Sequence, residues 1–222
     1  MKRLSPSQLT DMFQLQAQLN AVVDPLWITR NFAWTRAIRV ECAELSDHLG
    51  WKWWKHQDAD WEQARIELVD IWHFMLSSML VDSAGDINKA IDNLNDSLNE
   101  TPTFEVINVL GHTFTFNGLG LHEAVDKLSL FASCGFIVPP LFEKIMGFCS
   151  LDWERLHSIY IAKNVLNVFR QRHGYKDGTY IKVWGGREDN EVLESIMAEH
   201  PAATPALFME KLEEAYGQLG ST

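Results

Sequence analysis

The chain has 222 residues, 46% hydrophobic and 22% charged, with a formal net charge of −11. This suits a globular fold with one good core, or a core plus a smaller appended lobe. The acid excess excludes a general nucleic-acid binder, which needs a basic face to displace counterions, although an acidic chain can hold polyphosphates when cations sit between the two.

Cys42, Cys134 and Cys149 are unclustered and read as free thiols in a reducing compartment. The opening Met1-Lys2-Arg3-Leu4-Ser5-Pro6 turns polar at once, and no apolar run is long enough to span a membrane. A soluble, cytoplasmic protein with no membrane or nucleic-acid partner is expected.

In chain order, most segments read as helix. Ser5 or Ser7 can cap a first helix carrying Leu9, Met12, Phe13, Leu15, Gln16, Leu19 and Asn20, with Pro25 beyond its end. A second helix is predicted over about 34–49, stopped by Gly50 and followed by Trp51-Lys52-Trp53-Trp54-Lys55. A third spans about 60–81, with Gly85 after it and Asp86 capping a short fourth. The signal weakens over 101–120, where 113–118 reads as a short strand with a turn or as a loop. Further helices are predicted at 121–133, 139–150 and 152–172, the last capped by Asp152. A Gly-rich polar stretch, 173–190, cannot be one regular element, and two helices near 189–199 and 204–217 follow. The expected fold class is all-α, a single helical-bundle domain over 1–222 with 83–150 as an inserted or mobile lobe.

Glu41 and Glu44 are three apart on the second helix, and Glu67 and Asp70 are three apart on the third. Residues at that spacing share a helix face, with Cβ atoms roughly 5–6 Å apart. Two such helices packed antiparallel bring four carboxylates to one cavity, where they repel unless cations neutralise them. Glu67 to Phe74 is apolar almost all round, and Cys42, Ala43 and Leu45 flank the first pair. Carboxylates in such surroundings need partners. Two Mg2+ ions balance four negative charges, and all-oxygen ligands suit Mg2+ or Mn2+ better than zinc. His73 lies on the same face as Asp70 and reads either as a hydrogen-bonded core histidine or as a contact near the substrate.

Glu41-Cys42-Ala43-Glu44, Trp51 to Lys55 and Glu67 to His73 together resemble the dimeric, all-α dUTPases, which belong with the MazG-like nucleotide pyrophosphatases. Lys163 to Gln171, running into Gly174 to Lys182 and Trp184 to Asn190, forms a third matching block, and Gln16 and Asn20 match a further element. The resemblance covers about 10–82 and 155–195. It implies Mg2+-dependent hydrolysis of dUTP, with dUDP as a second substrate, to dUMP and pyrophosphate by attack of water on the α-phosphorus. Glu41, Glu44, Glu67 and Asp70 would hold the metal, and Glu41 would orient the water as general base. A homodimer is also implied.

Lys163, Asn167 and Arg170 form one stripe of the 152–172 helix, and Tyr175, Lys182 and Asn190 sit in the loop that follows. Such a loop can close over a triphosphate and supply cations. Lys163, Arg170, Tyr175, Lys182 and Asn190 are the expected phosphate contacts. The resemblance implies Gln16, Asn20, Trp53, His73 and Asn167 as the base and sugar contacts: side-chain amides can read the O, N–H, O edge of uracil. Spacing alone fits Gln16 and Asn20 equally as exposed polar residues closing an amphipathic helix, and the Trp cluster equally as a dimer or core contact. Alternatives are a pyrophosphatase for another dNTP such as dCTP, a di-iron carboxylate bundle, or a helical module without catalysis.

Overall fold

The structure, a computed structural model, describes residues 2–99, 106–109 and 112–221. Helix α1 (Pro6–Val23) starts at Ser5, whose Oγ accepts from Gln8 N while the Gln8 side chain accepts from Ser5 N. This reciprocal cap, with Pro6 at the first helical position, fixes the start. Its buried face carries Leu9, Met12, Phe13, Gln16, Leu19 and Asn20. The two amides lie on the apolar stripe because that stripe also lines a cavity.

Helices α2 (Trp34–His48) and α3 (Trp61–Asp82) form an antiparallel pair. Asp60 N donates to His48 O at 2.8 Å, closing the intervening loop, and the Asp60 carboxylate caps α3 by accepting from Gln63 N. Gly50, at φ 68°, allows this closure; a Cβ there would lie 2.5 Å from Gln57 O. Helix α3 is buried on most sides and touches α1, α2, α4 and α7. Trp72 stacks on Phe142 and meets Trp153 edge-on, each with ring centroids 5.2 Å apart. Three large aromatic side chains thus fill the centre, each contributing a few kcal/mol through burial.

Helices α4 (Ile87–Asn99), α5 (Leu121–Ser133) and α6 (Pro139–Phe148) follow. Strands β1 (Val106–Val109) and β2 (His112–Thr115) pair antiparallel between α4 and α5, with Val106 opposite Thr115. The expected strand near 113–118 is therefore shifted by one residue, and its partner lies where the sequence signal was weak. Leu94, Leu128, Phe131, Phe142 and Ile145 join the same core as α3. Helices α4, α5 and α6 thus share one apolar cluster with α3.

Helix α7 (Trp153–Arg172), capped by Asp152, carries two cores. Trp153, Leu156 and Tyr160 belong to the main one. Leu166 and Phe169 anchor a smaller one with Trp184, Leu193, Phe208 and Leu212, so the minor apolar unit is C-terminal. It includes α8 (Asp189–Glu199), α9 (Pro205–Gly217) and the hairpin of β3 (Val183–Trp184) with β4 (Arg187–Glu188). Gly185 and Gly186 turn that hairpin with φ of 59° and 87°, the two positive values that a tight two-residue turn requires. The all-α class holds, with two short hairpins among the described residues. No described helix is long and apolar enough to cross a membrane.

Candidate active site

Glu41 from α2 and Glu67 and Asp70 from α3 each present a carboxylate oxygen within 4.8 Å of the others. Glu67 is buried at 4% exposure. Burial pushes the Glu41 carboxyl up, and the charges of Asp70, Glu67 and Glu44 push it further, to about 8. A cluster of hard oxygen donors with this much mutual repulsion fits a divalent cation.

Glu44 takes a more outward place than the other three carboxylates. It is exposed, lining the acidic cavity without joining the three-oxygen cluster. Helix α2 buries Ile38, Cys42 and Leu45, whereas Ala43 faces solvent with Glu44. Three residues of helix turn a side chain about 60° off the starting direction, which carries Glu44 from the packed face to the rim.

Each basic residue expected at the phosphates carries an acidic partner. Lys163 is 1% exposed; its Nζ lies 2.9 Å from Asp70 Oδ2 and donates to Asn190 Oδ1 at 2.7 Å. Arg170 donates from Nε and Nη2 to the two oxygens of Asp189, both at 2.8 Å, and from Nη1 to Asn167 Oδ1 at 3.0 Å. Tyr180 donates its hydroxyl to Asp189 at 2.7 Å. Burial pushes the Asp189 carboxyl up, but the Arg170 guanidinium more than offsets this and holds it below the usual carboxylate range. Lys182 Nζ pairs with Glu188 at 2.8 Å. The Arg170 guanidinium lies over the Tyr175 ring, 5.8 Å from its centroid.

Two cavities adjoin. One, of about 400 Å³, is lined by Gln16, Asn20, Phe32, Trp34, His73, Phe74 and Asn167 among others. The other, of about 520 Å³, is acidic and includes Glu44, His48, Glu67, Lys163, Lys182 and Asn190. Glu41, Asp70, Arg170 and Tyr175 line both. In the first cavity Gln16 donates to Asn20 (3.0 Å), Asn20 donates to Ser77 (2.9 Å), and Gln16 Oε1 lies 2.6 Å from His73 Nδ1.

Trp53 lines neither cavity and is 89% exposed, its ring edge-on to Trp54. The aromatic wall comes instead from Phe32, Trp34 and Phe74, with Trp34 and Phe74 6.3 Å apart. Sequence reasoning assigned no site role to these three, to His48 or to Asp189. Phe74 adjoins His73 and Asp189 stands inside the block quoted for Asn190, so adjacency was the available signal. Nothing in the spacing marks Phe32 or Trp34.

A family model described as dUTPase matches residues 8–175, most of the chain, including both carboxylate pairs. The chain belongs to the dUTPase family. It is therefore an enzyme, a dUTP diphosphatase, and its substrate is a nucleotide. dUTPases generally use a divalent metal, and the Glu41, Glu67 and Asp70 cluster is of the kind that holds one. No curated protein matches the chain. The matched region stops at Tyr175, so Lys182, Asp189 and Asn190 lie beyond it in this dUTPase.

Proposed function

We propose that the enzyme hydrolyses dUTP to dUMP and pyrophosphate with Mg2+ held by Glu41, Glu67 and Asp70 and joined by Glu44 from the rim, with dUDP as a second substrate. The observation that carries this reading is the junction of an apolar, amide-bearing cavity with an acidic one at Glu41, Asp70, Arg170 and Tyr175. A nucleotide has the same two-part character. The base and sugar suit the first cavity, with Gln16, Asn20, His73 and Asn167, and the triphosphate suits the second.

Two Mg2+ ions held by these carboxylates, for which Mn2+ could substitute, would supply positive charge for the phosphoryl oxygens and for activating water. Glu41, at the junction, orients the attacking water toward the α-phosphorus and accepts its proton. Lys163 offsets the charge of Asp70 and holds Asn190. Lys182 exchanges Glu188 for a phosphate oxygen, and Arg170 offers the Nη1 proton not spent on Asp189, Asn167 or Asn190. Tyr175 and its loop shield the phosphates from solvent.

The exposed Trp51, Trp53 and Trp54, set close edge-to-face, support a homodimer, since large apolar patches mark association surfaces. Within a cytoplasm such a protein, one domain over 1–222, keeps uracil out of DNA. The test is a panel of dNTPs assayed with Mg2+ against the protein and Glu41→Gln. dUTP should be the best substrate, and Glu41→Gln should keep the fold while losing nearly all turnover. Preference for dCTP or another dNTP would reject the dUTP assignment.

A further inference from the structure

A third cavity, of about 640 Å³, lies between α3, α7, α8 and α9 and shares no lining residue with the two at the active site. Its floor is apolar: Ile66 of α3, Ile159 of α7 and Phe208 of α9 are all buried. Ile159 belongs to the main core, Phe208 to the C-terminal one, and Met197 of α8 packs against both. The cavity therefore sits on the seam between the two cores. Its size is that of a small-molecule pocket, roughly 300–1,000 Å³. Glu62, Arg155 and Glu194 are the charged side chains on its wall. The first two are already paired. Glu62 takes Arg65 on one oxygen and Arg155, at 2.9 Å, on the other. Glu194 differs. Its Oε1 accepts from Gln63 Nε2 at 2.9 Å, and among the described residues no cation pairs with it. Burial, together with the charges of Asp60, Glu62 and Glu191, pushes its carboxyl pKa up.

A half-buried carboxylate above an apolar floor gains most from a partner that brings both a positive charge and an apolar body. Arg155 offers less to an anion, because it stands in solvent, at 45% side-chain exposure, with Glu62 already bound. We infer that this cavity is an effector site for a small organic cation with an apolar body, an aromatic or branched aliphatic amine, whose ammonium pairs with Glu194 while the body covers Ile66, Ile159 and Phe208. The site is joined to the catalytic one in two ways. Gln63, which holds Glu194, lines the acidic cavity. Helix α8 opens with Asp189, the clamp on Arg170, and Asn190, the acceptor for Lys163. Glu194 and Met197 follow about one and two turns later on the same helix. An amine that draws Glu194 toward itself bears on the helix that braces both cations, and so changes the affinity for dUTP.

The test titrates the metal-loaded enzyme by calorimetry with 2-phenylethylamine, 2-phenylethanol and 3-phenylpropionate, and measures KM for dUTP with each. The amine should bind about 10-fold more tightly than the alcohol, as a charge-assisted hydrogen bond requires, and the acid should bind weakest. Saturating amine should shift KM for dUTP by about 5-fold. Glu194→Gln keeps an acceptor for Gln63 and loses the charge, so it should bind amine and alcohol alike. Ala198→Trp, at an exposed position on the cavity wall, should fill the cavity and abolish binding of both. It keeps the test decisive should Glu194→Gln not fold. Equal affinity of the wild type for amine and alcohol, or a preference for the acid, overturns the inference. So does amine binding that survives both substitutions, which would place the amine in the acidic catalytic cavity. Amine binding that leaves KM unchanged overturns the effector role.

Discussion

Asp189 holds Arg170 through two parallel hydrogen bonds of 2.8 Å, with the carboxylate fully buried and Tyr180 closing its remaining side. Removing one partner of a buried pair leaves the other charge uncompensated. Asp189→Asn should destabilise the fold by roughly 3 kcal/mol, read as a shift in the urea midpoint at neutral pH.

The same pair sets a pH dependence. Asp189 has its folded pKa held below the unfolded value of about 3.9. Its stabilisation is therefore complete above that value and is lost as pH falls through the lower folded one. Urea midpoints measured down to pH 2.5 should show this steep acid limb in the wild type and a shallower one in Asp189→Asn.

His73 acts over a higher window. Its folded pKa, near 3, lies below the unfolded value of about 6.5, so the unfolded chain binds a proton that the native state refuses. Stability should fall as pH drops from about 6.5 toward 3. His73→Gln should flatten that part of the profile, and an unchanged slope would show that other groups carry it.

The carboxylate cluster predicts opposite responses with and without cation. In chelator, Glu41→Gln should raise the melting temperature, because the folded state no longer has to hold a carboxyl protonated, well above its ordinary pKa, beside Glu67 and Asp70. With added Mg2+ or Mn2+ the wild type should gain stability as a bound ligand requires, and the variant should gain less. Differential scanning fluorimetry across a metal titration reads both.

Gly174 closes the turn after α7 at φ 86°, and a Cβ there would collide with the Thr179 side chain. Gly174→Ala should cost about 1–3 kcal/mol and misplace Tyr175, which lines both cavities. An unchanged melting temperature with unchanged KM would contradict this.

Much of the fold was legible because helix signals are local. Ser5, Asp60 and Asp152 cap where polar residues precede apolar periodicity, and the helices begin beside them. The carboxylate grouping followed from i, i+3 spacing, and Glu44 lines the same cavity from its rim because burial depends on which arc of α2 meets α3. The pairing of Lys163 with Asp70 is a contact across 93 residues and leaves no trace in either neighbourhood. Basic residues were read as free phosphate ligands for that reason, whereas the structure gives each an acid. The β3–β4 hairpin is only two residues per strand, too short for alternation to be seen.

Among the described residues the cavities share Glu41, Asp70, Arg170 and Tyr175, and the rest of each wall belongs to that cavity alone. Phe32, Trp34, His73 and Phe74 can therefore vary without touching Glu67, Lys163 or Lys182. Such a layout lets evolution, or an engineer, retarget the enzyme to a different nucleobase by rewriting one wall while the hydrolytic machinery is inherited intact.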